Sequence, residues 1–398
     1  MPFQNDILAG TSGASTGYTI DQSLIFNDPD SPQLNRTPGS AGNRKTATFS
    51  CWVKRCELSR TMEIIGVTAG NQECIRFTSD NAMMIRFGNA DSTTSSLFRD
   101  VAAWGHLFIV RDTTQSVSTN RLKMWWNGGA VTFSSYSVPS QDADTEFLNT
   151  TIHRFGCEGG QSQYLDGYLA EIHVLDGIVG AVGDFGETND LGVWVPKEYA
   201  GSYGTQGWYL DFEDSSALGN DVSGNNNDFT PANLAAADQR TDTPTNNQVT
   251  FNYLNNQRSG GTLTEGLTVY NGPSTRTLIS LTTNIPSTGK WAVAFSASVV
   301  STNAGWNFGI TKSNNSNFGD AVGSNEDVGA SDGVTMSPSS SDLQLYDYTS
   351  SNSIDPTLPI TTSDEFWVAV DMATGKCFLG ISNQSDSNAM IWVAADAG

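Results

Sequence analysis

Leu165-Asp-Gly-Tyr-Leu-Ala-Glu-Ile-His-Val-Leu-Asp176 is the stretch that decides the fold. It alternates as a strand does. Tyr168, Ala170, Ile172 and Val174 form one apolar face, and Leu169, Glu171, His173 and Leu175 form a mixed one. A strand with one dry face and one mixed face belongs to a sheet packed on a second sheet. Asp166-Gly167 before it and Asp176-Gly177 after it mark turns.

Working outward, the same period recurs. Ile20, Leu24 and Phe26 belong to a first strand. In Thr46 to Lys54, Ala47, Phe49, Cys51 and Val53 share one face and Thr48, Ser50 and Trp52 the other. Short strands follow at 64–68, 74–78 and 83–87, then Trp104 to Asp112, then Ile152 to Cys157. Arg121 to Phe133 reads as a hairpin about Asn127-Gly128, the strongest short turn signal. Leu122, Met124 and Trp126 line its inner face; Arg121, Lys123 and Trp125 line its outer face. Adjacent tryptophans point to opposite sides, so Trp126 is assigned to the core and Trp125 to the surface.

Bulk composition agrees. The chain has 398 residues, 38% hydrophobic and 16% charged, with 39 glycines, a turn-rich all-β mixture without sustained helical spacing. The net charge of −22 argues against binding phosphate backbones or anionic lipid. No segment resembles a signal peptide, and no apolar run is long enough to span a bilayer. Synthesis in a cytoplasm is expected. Cys51, Cys56, Cys74, Cys157 and Cys377 form no Cys-x-x-Cys pair and are expected as buried thiols.

The motifs of residues 20–198 resemble the LamG-type, concanavalin-A-like jelly roll. The Asp-Gly-x-apolar-apolar-Glu strand at 166–171 matches its late strand. Cys51-Trp-Val-Lys54 matches its second, and Trp104-Gly-His-Leu-Phe-Ile-Val-Arg-Asp112 a third. Trp194-Val-Pro-Lys-Glu-Tyr199 closes this half. Trp208 to Asn233 opens a second unit on this reading. Within it, Asp221, Ser223, Asn225 and Asn227 offer oxygens to Ca²⁺, with plain Asx turns as the alternative. Ala235 to Asn247 reads as a linker. Lys290-Trp-Ala-Val-Ala-Phe295, Trp306-Asn-Phe-Gly-Ile310 and Phe366-Trp-Val-Ala-Val-Asp371, with the turn before Lys376-Cys-Phe-Leu-Gly380, resemble a SPRY-type sandwich. The expected architecture is all-β, tandem concanavalin-A-like jelly-roll sandwiches. Its parts are an N-terminal arm (1–19), a LamG-type unit (20–200), an Asx/Gly-rich connection with an opening strand (201–248), and a second sandwich, possibly incomplete (249–398).

Catalytic patterns are missing from the sequence. Retaining glycosidases need two carboxyls about 5 Å apart, and no Glu-x-Asp-x-x-Glu strand occurs. Asp211 and Glu213 share a strand face but read as a solvated end. No nucleophile elbow, phosphate loop or histidine metal spacing is present; His106 reads as a packed strand residue. Recognition remains. Arg121, Lys123 and Trp125 are the candidate ligand-binding residues. A sugar ring on Trp125 covers ~80–100 Å², worth roughly 2 kcal/mol, which is weaker than about millimolar. Repetition on one particle multiplies such binding by about 10²–10⁴.

Two such modules, with Asn27-Asp-Pro-Asp-Ser-Pro32, Arg36-Thr-Pro38 and Asn43-Arg-Lys-Thr46 ahead of the Trp-Val-Lys strand, resemble structural proteins of marine tailed phages. The resemblance implies a non-catalytic virion protein, a tail or head fibre. It would recognise host-surface polysaccharide, contact other virion proteins and form a homo-oligomer, without nucleic acid or membrane insertion. A purely architectural decoration protein and a secreted lectin or adhesin are the alternatives.

Overall fold

The computed structural model describes residues 17–68, 73–159, 161–251, 262–271, 290–296, 308–311, 333–338, 343–347, 350–355, 365–374, 376–382 and 390–396. The chain divides into two compact units. One holds the described residues up to Phe251 together with 263–270, and the other holds Thr262 and those from Asn271 onward.

The first unit runs through β1 (Ser23–Phe26), β2 (Gln33–Arg36), β3 (Thr46–Arg55), β4 (Met62–Thr68), β5 (Glu73–Phe77) and β6 (Met83–Phe87). Then come β7 (Ala90–Thr94), β8 (Gly105–Asp112), β9 (Leu122–Trp126), β10 (Gly129–Ala130), β11 (Phe133–Ser135) and β12 (Ile152–Phe155). The unit continues with β13 (Gly167–Asp176), β14 (Gly186–Thr188), β15 (Trp194–Pro196), β16 (Trp208–Leu210), β17 (Thr230–Ala232) and β18 (Gln239–Arg240). One antiparallel sheet has the order β10-β9-β8-β3-β13-β1-β18, with β16 also on β13. The other runs β11-β7-β6-β5-β4-β12-β2-β17. Their inner faces share one core that includes Phe49, Val53, Leu107, Ile109, Ile65, Ile85, Phe155 and Trp208. This is the all-β jelly-roll sandwich that the alternation calls for.

Local readings hold where a single strand or turn settles them. Ala47, Phe49, Cys51 and Val53 all face the core, and Trp52 lies in a separate cluster outside it. The hairpin turns at Asn127 (φ 48°) and Gly128 (φ 75°), both left-handed as a two-residue hairpin turn requires. Trp126 packs on the core; Trp125 packs half-buried against Phe108 on the outer face, 5.4 Å between ring centroids.

Strand β13 departs from strict alternation. Its pairing with β3 shifts register between Ala170 and His173, and Glu171 stands at φ 51°. One extra residue at this bulge changes the parity. Leu169, Ile172 and Val174 reach the inter-sheet core, while Tyr168 and Ala170 join the outer cluster of Trp52 and Ile25. The expected grouping of Tyr168 and Ala170 with Ile172 and Val174 is therefore corrected.

The expected parts also shift. Trp208–Leu210 does not open a second unit: it pairs with β13, while β17 pairs with β2 and β18 with β1. Residues 201–248 thus complete the first sandwich. The buried Lys54 ammonium fastens this segment. It donates to Asp242 Oδ2 and Asn247 Oδ1, both at 2.8 Å, and Trp104 Nε1 donates to Asp242 Oδ1 at 2.9 Å. Leu267, 2% exposed, enters the outer cluster of the same unit, and Tyr168 donates to the Gly266 carbonyl at 2.9 Å. Of the expected arm, residues 1–16 lie outside the described residues, and Tyr18 is built into the first unit.

The second unit contains two four-stranded antiparallel sheets among its described residues. Lys290–Ser296, Glu365–Asp371, Lys376–Ser382 and Met390–Asp396 form one, with Trp291 opposite Val370 and Gly380 opposite Trp392. Phe308–Thr311, Gly333–Pro338, Leu343–Asp347 and Ser350–Asp355 form the other. Gly333 to Asp355 is rich in Ser, Asp and Thr, and its strands carry little apolar alternation for sequence reading to detect. Trp306 lies outside the described residues, as does the side chain of Cys377.

Candidate functional site

The β13 bulge creates a pocket on the outer face of the first sheet. β16 pairs with β13 so that Trp208 and Leu210 face inward with Val174 and Ile172, leaving Tyr209 opposite His173 on the outside. Their rings stack at 4.2 Å and 16°. Tyr18 and Tyr203 close in from neighbouring segments. With Thr19, Ile20, Asp21, Glu198, Tyr199, Asp211, Glu213 and Val222, these residues line a cavity of about 350 Å³.

Glu171 is the hub. It is 5% exposed and accepts from Tyr18 Oη at 2.7 Å and from Tyr209 Oη at 2.8 Å. His173 Nε2 lies 3.3 Å from Glu171 Oε2, and its Nδ1 lies 3.0 Å from the Tyr203 hydroxyl. A carboxylate only accepts, so Nε2 carries the proton; in the neutral ring Nδ1 then accepts from Tyr203. Burial, followed by the Glu171 charge, pushes the Tyr18, Tyr203 and Tyr209 phenols far above their ordinary range. Burial and the Glu171 charge also raise Asp211; the Asp211 charge, with burial, raises Glu213.

Among the described residues, every charged side chain lining the cavity is acidic: Asp21, Glu171, Glu198, Asp211 and Glu213, with no Lys or Arg. Glu171, which has no acidic neighbour two or three residues away in sequence, thus lines the same cavity as Asp211 and Glu213. Sequence reasoning placed Asp211 and Glu213 at a solvated strand end, which holds: they follow β16 and Glu213 is exposed; it missed the tyrosines. The alternation Tyr209, Asp211, Glu213 was visible; the strand it pairs with was not.

The sequence-derived residues lie elsewhere on this face. Trp125 touches Phe108, Phe108 touches Phe185 at 5.5 Å, and Phe185 stacks on Tyr199 at 4.5 Å, so Trp125 and the pocket are the two open ends of one aromatic row. Lys123 is exposed beside Trp125. Arg121 precedes the strand, and its guanidinium donates to the carbonyls of Gln115 (2.7 Å), Ser116 (3.1 Å) and Pro139 (3.1 Å). It anchors the hairpin base.

The Asx-rich loop is arranged as turns. Asp221 accepts from the backbone N–H groups of Tyr209, Ser223 and Asn227 and from the Ser223 hydroxyl. Asn227 Oδ1 accepts from Arg36, and Asn225 donates to the Gly204 and Gly207 carbonyls. The Asp221 and Asn227 oxygens accept from N–H groups, the bonding of Asx turns. No cluster of metal-ligating side chains occurs among the described residues.

Two histidines are sealed. The Trp194 indole N–H donates to His106 Nδ1 at 3.1 Å, so His106 Nε2 carries the proton and donates to Ser50 Oγ at 2.8 Å. Ser50 is thus not activated as a nucleophile. The Leu148 N–H donates to His153 Nε2 at 2.9 Å, leaving Nδ1 to donate to the Thr151 carbonyl. Burial lowers these rings to about 3 and about 4. Cys51, Cys56, Cys74 and Cys157 are buried free thiols, all raised by burial.

No family model and no curated protein matches the chain. Among solved structures, a putative carbohydrate binding protein from Bacteroides ovatus is similar at 13% identity and a TM-score of 0.38, covering 55% of this chain and 61% of that one. Mouse laminin alpha1 domains LG4-5 match at 8% identity and 0.32, covering 100% and 83%. Tailspike protein 2 of an Escherichia coli O157:H7 bacteriophage matches at 10% and 0.26, covering 44% and 28%.

Proposed function

We propose that this chain is a non-catalytic virion surface protein, a tail or head fibre, that recognises host-surface polysaccharide through the outer face of its first sandwich. The observation that carries the reading is the pocket at the β13 bulge. It has room for about one sugar ring, aromatic walls of Tyr18, Tyr203 and Tyr209, and a buried acceptor, Glu171, at its base. Trp125 and Lys123 supply a second contact at the other end of the aromatic row. One such contact is weak, roughly 2 kcal/mol for a stacked ring. Function therefore calls for repetition on an oligomer or a particle.

The non-catalytic reading is supported by the sequence, which carries no Glu-x-Asp-x-x-Glu strand, nucleophile elbow or phosphate loop. The phenols beside Glu171 hold their protons too tightly to act as nucleophiles near neutral pH. The virion setting rests on the sequence resemblance to phage structural proteins and on the strongly acidic surface.

The test presents the clustered full-length protein with an immobilised panel of bacterial polysaccharides, alongside an assay for newly released reducing ends. Capture without new ends is the expected result. Release of ends would overturn the non-catalytic assignment, and no capture on any glycan would leave the architectural role.

A further inference from the structure

From the charge of the pocket we infer that its ligand bears an ammonium group: it is an unacetylated amino sugar rather than a neutral or anionic one. The inference rests on the glycan-recognition reading above and narrows it to a ligand class. The cavity is bounded by the tyrosines 18, 199, 203 and 209 and the half-exposed Val222, surfaces suited to the apolar face of a pyranose ring. Its polar groups do not suit a neutral sugar equally well. A neutral sugar wants donors and acceptors in mixture, and here five carboxylate residues line the cavity against a few phenols, His173 and the Thr19 hydroxyl.

Phenols that already donate to Glu171 are spent as donors toward a ligand: Tyr18 and Tyr209 both point at that carboxylate. The remaining unmet need of the cavity is positive charge. Asp211 and Glu213 have few opposing partners, since no Lys or Arg lines the pocket among the described residues. A protonated amine would sit among these carboxylates and against the electron-rich tyrosine faces, two attractions that act on the same group. A sialic or uronic acid would meet the same five carboxylates and be repelled.

Three histidines make the experiment site-specific, because all three are buried but only His173 lines the cavity. Imidazole NMR signals of the full-length protein are followed while glucosamine oligomers, or the same oligomers fully N-acetylated, are added up to about 10 mM, the range of a weak single site. N-acetylation removes the charge and keeps the ring. The expected result is movement of the His173 signal alone, with the amine form binding roughly tenfold more tightly than the acetylated form. The exposed-rim variant Glu213→Gln, which leaves the Glu171 hub intact, should reduce that preference about two- to threefold. Equal shifts with both oligomers would overturn the ammonium inference while leaving glycan recognition standing. No shift with either would overturn it too; polysaccharide capture in the panel assay would then place recognition at Trp125, and loss of capture as well would remove both claims.

Discussion

Glu171 and His173 stand two residues apart on one strand, and their side chains meet at 3.3 Å beside a bulge where Glu171 takes a left-handed backbone. A left-handed residue with a side chain costs about 1–2 kcal/mol. Here Glu171 recovers it through two phenol hydrogen bonds and the neighbouring imidazole. The bulge therefore aims the carboxylate into the pocket and sets the parity of the whole organising strand.

Substitutions at Glu171 should separate backbone from side-chain effects. Glu171→Ala is expected to cost about 1–3 kcal/mol, leaving the Tyr18 and Tyr209 hydroxyls without their acceptor. Glu171→Val should cost more, since a β-branched residue suits positive φ poorly, and Glu171→Gly less than Glu171→Val. Urea denaturation of the three variants gives the order directly.

The Lys54–Asp242 pair is 0% and 4% exposed, so each charge depends on the other. Removing one partner, as in Lys54→Met or Asp242→Leu, should cost about 3–5 kcal/mol. The double variant should be much less destabilised than the sum of the two. A double-mutant cycle by chemical denaturation reads this coupling; strict additivity would show that the segment carrying Asp242 is not held by the pair.

Stability should fall on both sides of a middle pH range. Burial raises Glu63 from 4.5 to about 8, and its Oε2 lacks a hydrogen-bond partner. The folded state thus holds this proton longer than the unfolded state, and stability is lost as pH rises from 4.5 to about 8, at about 1.4 kcal/mol per unit. Glu63→Gln should remove the loss and be more stable than wild type at high pH. His106 and His153 have the opposite sign. Their depressed values, about 3 and about 4, mean stability is lost as pH falls below 6.5, again about 1.4 kcal/mol per unit for each ring. Denaturation midpoints across pH check both slopes.

Ligand binding should weaken in acid. Asp211 and Glu213 are both raised, so each takes up its proton at a higher pH than an ordinary carboxylate as the medium is acidified. The other ionisable groups of the cavity are Asp21, Glu171, His173, Glu198 and the tyrosines. Loss of negative charge lowers affinity for an amine-bearing sugar, and Glu213→Gln should flatten the profile. Titrations at successive pH values on the His173 signal measure the effect.

What the sequence disclosed was local. The faces of β3, the Asn127-Gly128 turn and the opposed Trp125 and Trp126 each follow from a few neighbouring residues. The pocket depended on two things that neighbours do not encode. One is a left-handed Glu171, in a place where no Gly or Asn marks the bulge. The other is the approach of Tyr209, 38 residues further along, which only strand pairing brings to Glu171. The reading of Trp208 to Asn233 as the opening of a second unit failed for the same reason: its short strands complete sheets whose other members lie far earlier in the chain.

The most direct measurement is binding of the labelled full-length protein to whole candidate host cells, comparing wild type with Trp125→Ala and Tyr203→Ala. The account predicts saturable wild-type binding that both substitutions weaken, with soluble surface polysaccharide competing. Failure to bind any host cell, together with tight attachment to particles stripped of this protein, would contradict it and make the chain a structural joint of the particle.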